Sequence, residues 1–138
     1  MNKKVRLIIC DDHEIYRKCI QAFLRFGDAS IEVIGEAADG LEAVEMTLDL
    51  NPDVVLMDVE MPRLDGIEAT RRIKNAAKSV KVLFLSMYDD VEIVNRCMEA
   101  GASGYLVKGV THGQLSDAIL AVHVGDRAIR PPETLKSA

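Results

Sequence analysis

Asp53-Val54-Val55-Leu56-Met57-Asp58-Val59-Glu60-Met61-Pro62 is the stretch that decides the fold. Val54 to Met57 are consecutively apolar, so a strand made from them has no wet face and must be covered on both sides. A lone carboxylate, Asp58, closes the run, and Pro62 marks the loop beyond it. A covered strand that ends in a charge is the unit from which the rest of the chain is read.

Working outward, similar runs stand at Val5 to Cys10, Ile31 to Ala37, Val82 to Leu85 and Gly104 to Val107. After each of the five runs come apolar residues at helical spacing: Ile15, Cys19 and Phe23; Leu41, Val44 and Leu48; Ile67, Thr70 and Ile73; Val91, Val94 and Met98; Leu115, Ile119 and Val122. Strict alternation predicts parallel strands, right-handed crossovers and helices on both faces of one sheet. Glu32 and Glu36 predict that the second strand lies at an edge. Asp39 with Glu42, Asp65 with Glu68, Asp89 with Glu92 and Thr111 with Gln114 have the spacing of an N-cap and its reciprocal partner. Gly27, Gly101 and Gly125 are expected to stop the first, fourth and fifth helices, and Pro52 follows the second.

With 138 residues, 49% of them apolar, the chain can bury a single core. One domain is expected over residues 1–125, with 126–138, including Pro131 and Pro132, a tail or the start of an interdomain linker. A net charge of -5 argues against gripping a nucleic-acid backbone, which takes clustered Lys and Arg. The longest apolar runs are far shorter than the roughly 20 residues of a membrane span, and the N-terminus lacks a signal-peptide core, so a cytoplasmic protein with no membrane partner is expected. Cys10, Cys19 and Cys97 lack a C-x-x-C and are expected as reduced packing residues, while His13, His112 and His123 are expected at solvated helix positions.

Ligands of such sheets collect outside the carboxyl ends of the strands. There the first strand delivers Asp11 and Asp12, the third Asp58, the fourth Ser86 and the fifth Lys108. Carboxylates brought together raise their own pKa values unless a cation joins them, and an oxygen-only set suits Mg²⁺. Asp58, on a rigid buried strand, can act as nucleophile toward a phosphoryl donor, with the cation and Lys108 neutralising charge and the Ser86 hydroxyl bonding a phosphoryl oxygen. Each residue alone has an ordinary explanation: a cap for Asp12, a turn for Ser86, a solvated Lys108. Their convergence on one rim is the signal.

Ile8 to His13, Asp53 to Gly66 and Gly101 to Lys108 together resemble the receiver domain of two-component response regulators, over about residues 4–125. The resemblance implies a flavodoxin-like, doubly wound, five-stranded parallel sheet in the order 2-1-3-4-5 with five helices. It implies that Asp58 accepts a phosphoryl group from a sensor histidine kinase, and that Asp11, Asp12, Asp58 and the backbone carbonyl of Glu60 hold Mg²⁺. Lys108 would be the receiver lysine, Ser86 the hydroxyl that turns to the phosphoryl group, and Tyr105 the aromatic that follows it. No enzyme is implied beyond assistance to the domain's own phosphorylation and dephosphorylation.

Leu83 to Asp90 and Gly101 to Lys108 are similar to receivers of the LuxR/FixJ (NarL-type) class, which usually precede a helix-turn-helix domain. The resemblance implies the regulatory part of a transcriptional regulator, touching DNA only through such a C-terminal domain, and it admits a homodimer on phosphorylation. The residues after Gly125 are too few for that domain, so a truncated receiver is expected ahead of a stand-alone one acting by protein contact. An aspartyl-phosphate phosphatase would also use a strand-end Asp, a lysine and Mg²⁺, but its D-x-D signature is missing at Asp58-Val59-Glu60. A flavin binder would place its phosphate against Asp11, Asp12 and Glu14, which repel it.

Overall fold

The computed structural model describes residues 3–27 and 29–129. Strand and helix alternate as β1 (Val5–Cys10), α1 (Glu14–Gly27), β2 (Ile31–Ala37), α2 (Gly40–Leu50), β3 (Val54–Met57), α3 (Gly66–Ala76), β4 (Lys81–Ser86), α4 (Val91–Glu99), β5 (Gly104–Val107), α5 (His112–His123) and β6 (Ala128–Ile129). The sheet is parallel throughout, in the order β2-β1-β3-β4-β5-β6. The expected order 2-1-3-4-5 stands, and β2 lies at the edge that Glu32 and Glu36 predicted.

β6 is an addition to the five expected strands. The chain returns after α5 and lays Ala128–Ile129 along Gly104–Tyr105. A Cβ on Gly104 would stand 2.3 Å from the Ala128 carbonyl oxygen, so the absence of a side chain there lets the two strands meet. The expected tail thus begins on the sheet; from Arg130 onward it lies outside the described residues.

Alternate residues of each strand serve opposite faces. Ile8, Cys10, Val55, Met57, Val82 and Phe84 pack toward α2, α3 and α4, whereas Leu7, Ile9, Val54, Leu56, Leu83 and Leu85 pack toward α1 and α5. The central strands are therefore dry on both sides, as the unbroken apolar runs require.

Most caps are where the spacing put them. Asp39 accepts from the Glu42 N–H and Asp65 from the Glu68 N–H, each at 2.9 Å, and Thr111 with Gln114 forms a complete capping box. The cap of α4 is a correction: the residue in that place is Asp90, not Asp89, and it makes no side-chain cap bond. Gly101 (φ 112°) and Gly125 (φ 100°) take the left-handed conformation after their helices, as does Asn51 (φ 49°) before Pro52. Gly27 instead is the last residue of α1 and has no positive φ.

Two helices turn a different face inward than the spacing predicted. α1 buries Ile20 and Leu24 behind a half-buried Tyr16, leaving Ile15 80% exposed with Cys19 and Phe23 also outward. The helix carries parallel stripes at 15/19/23 and 16/20/24, about 100° apart, and periodicity alone does not rank them. Cys19 is therefore no packing residue, unlike Cys10 and Cys97, which are buried. α2 buries Gly40, Ala43 and Thr47 in place of the larger Leu41, Val44 and Leu48. Close approach explains that shift, since a Cβ on Gly40 would fall 1.9 Å from the Leu64 carbonyl oxygen of the β3–α3 loop.

Candidate functional site

Hydrogen bonds carry the rigidity of the sheet beyond its last residues. The Asp11 N–H donates to the Ala37 carbonyl at 3.0 Å, the Asp58 N–H to that of Cys10 at 2.9 Å, and the Lys108 N–H to that of Ser86 at 2.7 Å. The loop after Asp58 is closed just as firmly: the Gly66 N–H bonds the Val59 carbonyl at 2.7 Å, and a Cβ on Gly66 would lie 1.9 Å from the Asp58 carbonyl oxygen. Glycine at 66 is what allows α3 to begin so close to Asp58.

On this frame Asp11, Asp58 and Lys108 meet. The Lys108 ammonium lies 2.8 Å from Asp11 Oδ2 and 3.4 Å from Asp58 Oδ2, while Asp58 Oδ1 accepts from the Val59 N–H at 2.8 Å. Asp11 is 3% exposed and Asp58 6%, so these charges interact largely out of water. Burial pushes the Asp58 carboxyl up to about 6; the Lys108 charge opposes the rise and the Asp11 charge adds to it. Burial also acts to raise Asp11, but its bonds from Lys108 and His13 outweigh that and hold it below the usual carboxylate range. Neighbouring carboxylates pushed in opposite directions leave one anchored in an ion pair and the other ready to take a charge-neutralising partner.

Asp12 is exposed beside this pair, and His13 joins it. The His13 backbone N–H donates to Asp11 Oδ1 at 2.8 Å, and His13 Nδ1 lies 2.9 Å from that oxygen and 3.2 Å from Asp12 Oδ1. Asp11, Asp12, His13 and Asp58 offer ligand atoms all within 4.8 Å of one another. Ligand atoms around one divalent ion with bonds of about 2.1 Å stand at most ~4.2 Å apart, so a small closure fits this donor set to a cation. His13 was expected at a solvated helix position; it precedes α1 and faces the acidic pair. Its place directly after two carboxylates was the available signal. Arg17 was also not singled out: it donates to the Asp11 carbonyl at 2.5 Å and to Glu36 Oε1 at 2.9 Å, tying α1 to β1 and β2.

Ser86 ends β4 and Tyr105 lies within β5. Ser86 is buried and its hydroxyl accepts from the Tyr88 N–H at 3.2 Å. The Tyr105 ring is fully buried, stacks on Phe84 with centroids 6.2 Å apart, and donates its hydroxyl to the Tyr88 carbonyl at 2.5 Å. Tyr88 thus links both residues through its backbone. Glu60 is on the rim, where it lines one open cleft with Asp12, His13, Asp58, Met87, Tyr88 and Lys108.

Residues 7–120 match the response regulator receiver domain family. The chain belongs to that family. Receiver relatives include the transcriptional regulatory protein DegU of Brevibacillus brevis, 39% identical over 131 residues that make up 95% of this chain and 55% of DegU. The chain spans little more than half the length of that relative. Among solved structures, a LuxR-family two-component response regulator from Aurantimonas sp. SI85-9A1 superposes with a TM-score of 0.89 at 34% identity, covering 97% of this chain and 94% of the other. The CheX-CheY-BeF3-Mg²⁺ complex from Borrelia burgdorferi superposes with a TM-score of 0.78 at 28% identity, covering 87% and 90%. Among the described residues, no helix of this receiver is long and apolar enough to cross a membrane.

Proposed function

We propose that this receiver, over residues 1–125, is a cytoplasmic switch operated by phosphorylation of Asp58 from the phosphohistidine of a sensor histidine kinase. The observation that carries it is the Asp58 carboxylate: buried, held at one oxygen by the Val59 N–H, and exposed at the other to Lys108 and the cleft. One Asp58 oxygen forms a bond to phosphorus as the phosphorus–nitrogen bond of the donor breaks. The leaving imidazole keeps the electron pair and takes its proton from solvent. Such transfers need positioning and charge neutralisation more than proton transfer by the protein. Asp11, Asp12, Asp58 and the Glu60 backbone carbonyl are the ligands we assign to Mg²⁺, which when bound supplies the larger share of that neutralisation. Lys108 supplies the rest, and the Ser86 hydroxyl, which accepts from the Tyr88 N–H, would turn its own proton to a phosphoryl oxygen.

Phosphorylation adds acceptor oxygens next to Ser86 and Lys108, and their new bonds bias two arrangements of the β4–α4 loop and Tyr105. A reversal from 1:99 to 99:1 takes roughly 5.5 kcal/mol, within reach of a few charge-assisted hydrogen bonds. The output surface is then α4, β5 and α5, which flank that loop. We assign the chain to the regulatory part of a transcriptional regulator because its relatives are transcriptional regulators of which it covers only 55% and 57%. DNA contact would belong to a C-terminal domain beyond residues 126–138, and a homodimer of phosphorylated copies would bring two such domains together. In intact-mass measurements with Mg²⁺ and acetyl phosphate, the wild-type chain is expected to gain one phosphoryl mass and Asp58→Asn none. Undiminished labelling of the variant sinks the assignment.

A further inference from the structure

The Lys108 ammonium has a third neighbour that the proposed chemistry leaves unused. The Tyr16 ring lies beneath it, 4.4 Å from Nζ to the ring centroid. Tyr16 sits in the first turn of α1, half-buried, and packs with Ile20, Leu56, Met57 and Leu85 under the Asp11 and Asp58 carboxylates. Burial, with the charges of Asp11 and Asp58, pushes its phenol up to about 12, so near neutrality the ring is uncharged and presents its π face. We propose that Tyr16 is a positioning residue for Lys108, its ring face holding the ammonium on the β1 side of the site, directed at Asp58 but seated on Asp11.

The distances support this division. The ammonium is 2.8 Å from Asp11 and 3.4 Å from Asp58, so its close ion pair is with the carboxylate that does not react. A lysine with only the two carboxylates for company would settle between them and mask the nucleophilic oxygen. The ring supplies a further attraction, strongest where water is excluded, as it is for a lysine side chain 9% exposed. Asp58 is thereby left with an oxygen open to phosphorus and a positive charge close enough to receive the phosphoryl oxygens. α1, through the register of Tyr16, then sets the resting place of a lysine borne by β5.

This inference rests on the phosphorylation reading for its kinetics but not for its geometry, and the test keeps them apart. In the full chain, the Lys108 Hε protons are expected to show ring-current shifts in wild type and in Tyr16→Phe, and to lose them in Tyr16→Leu. With Mg²⁺ and saturating acetyl phosphate, Tyr16→Leu is expected to slow labelling about two- to thirtyfold, the range of one such contact. Tyr16→Phe restores the rate to within about twofold, and half-saturating Mg²⁺ is the same in all forms. Tyr16→Met serves as a second ring-free variant if Tyr16→Leu folds poorly. Absent ring-current shifts in wild type, or wild-type labelling by a folded ring-free variant that has lost them, would overturn the proposal. So would equal slowing by Tyr16→Phe, which would assign the effect to the hydroxyl. If wild type is not labelled at all, the phosphorylation reading falls, while the shifts still decide where Lys108 rests.

Discussion

The strand-end rim and the outer face of α1 depart from the usual partition of residues in opposite directions. At the rim Asp11, Asp58 and the Lys108 side chain are charged yet buried, and on α1 Ile15 and Phe26 are apolar yet exposed, Phe26 to 86%. Buried charges are costly unless paired and bonded, so the rim has to be built residue by residue, with Val59, His13, Tyr16 and Arg17 each fixing a partner. Exposed apolar side chains are common on protein surfaces and ask for nothing. Of the two irregularities, only the rim is over-determined by the structure around it.

Substitutions can break or sharpen that contrast. The largest effect is expected where charge is removed from the rim: Lys108→Met should slow phosphoryl uptake by about a hundredfold, the scale of losing one preorganised charge partner, in the same mass assay used for Asp58→Asn. A Lys108→Met chain labelled at the wild-type rate would remove the lysine from the chemistry. Next comes the inner face of α1, where Leu24→Ala should cost about 2–5 kcal/mol in urea unfolding, against at most ~0.5 kcal/mol for Ile15→Ala on the outer face. Equal losses would mean that the outer face is packed after all.

A smaller effect has a definite sign. Burial pushes the Asp58 carboxyl up to about 6 in the folded chain, against about 4 when unfolded, so between those values the folded state holds a proton that the unfolded state has released. The contribution of Asp58 to the stability of the metal-free protein should therefore rise as pH falls through 6, the gain being complete below about 4; at pH 7.5 the cost of the buried charge is fully expressed. Without metal, Asp58→Asn should be more stable than wild type by about 1–3 kcal/mol at pH 7.5, and the two should converge near pH 4. A constant difference across that range would show that burial does not govern this carboxylate. Smallest is the exposed thiol: Cys19→Ser on the outer face of α1 should leave stability within ~0.5 kcal/mol, whereas Cys10→Ser, inside the core, should be clearly destabilising in the same measurement.

Local chemistry made much of this legible beforehand. Strands β1, β2, β3 and β5 begin and end where the apolar runs do; along β3 unbroken burial admits only apolar residues, while β2 at the edge keeps Glu32 and Glu36 among its apolar ones. Asp39, Asp65 and Thr111 cap their helices because a cap is satisfied within four residues of itself. The faces of α1 and α2 were not legible, since each choice depended on a neighbour distant in sequence. Tyr16, Ile20 and Leu24 meet the sheet, and Gly40 meets the β3–α3 loop. Tyr16 escaped for the same reason: nothing within α1 says that it lies under a lysine 92 positions along the chain.

From the sequence alone came the alternation of strand and helix, with a carboxylate, a hydroxyl and a lysine at the strand ends, because those follow from apolar runs and the residues that terminate them; the strand order came from family resemblance. Only the tertiary structure decided that Lys108 sits closer to Asp11 than to Asp58, that Tyr16 underlies it, that Tyr105 is buried with its hydroxyl on Tyr88, and that Ala128–Ile129 joins the sheet beside Gly104. The physical reason is range. Burial and capping act through a residue's own neighbours in the chain, whereas the balance of charge at a buried site is settled among side chains that the fold brings together from β1, α1, β3 and β5.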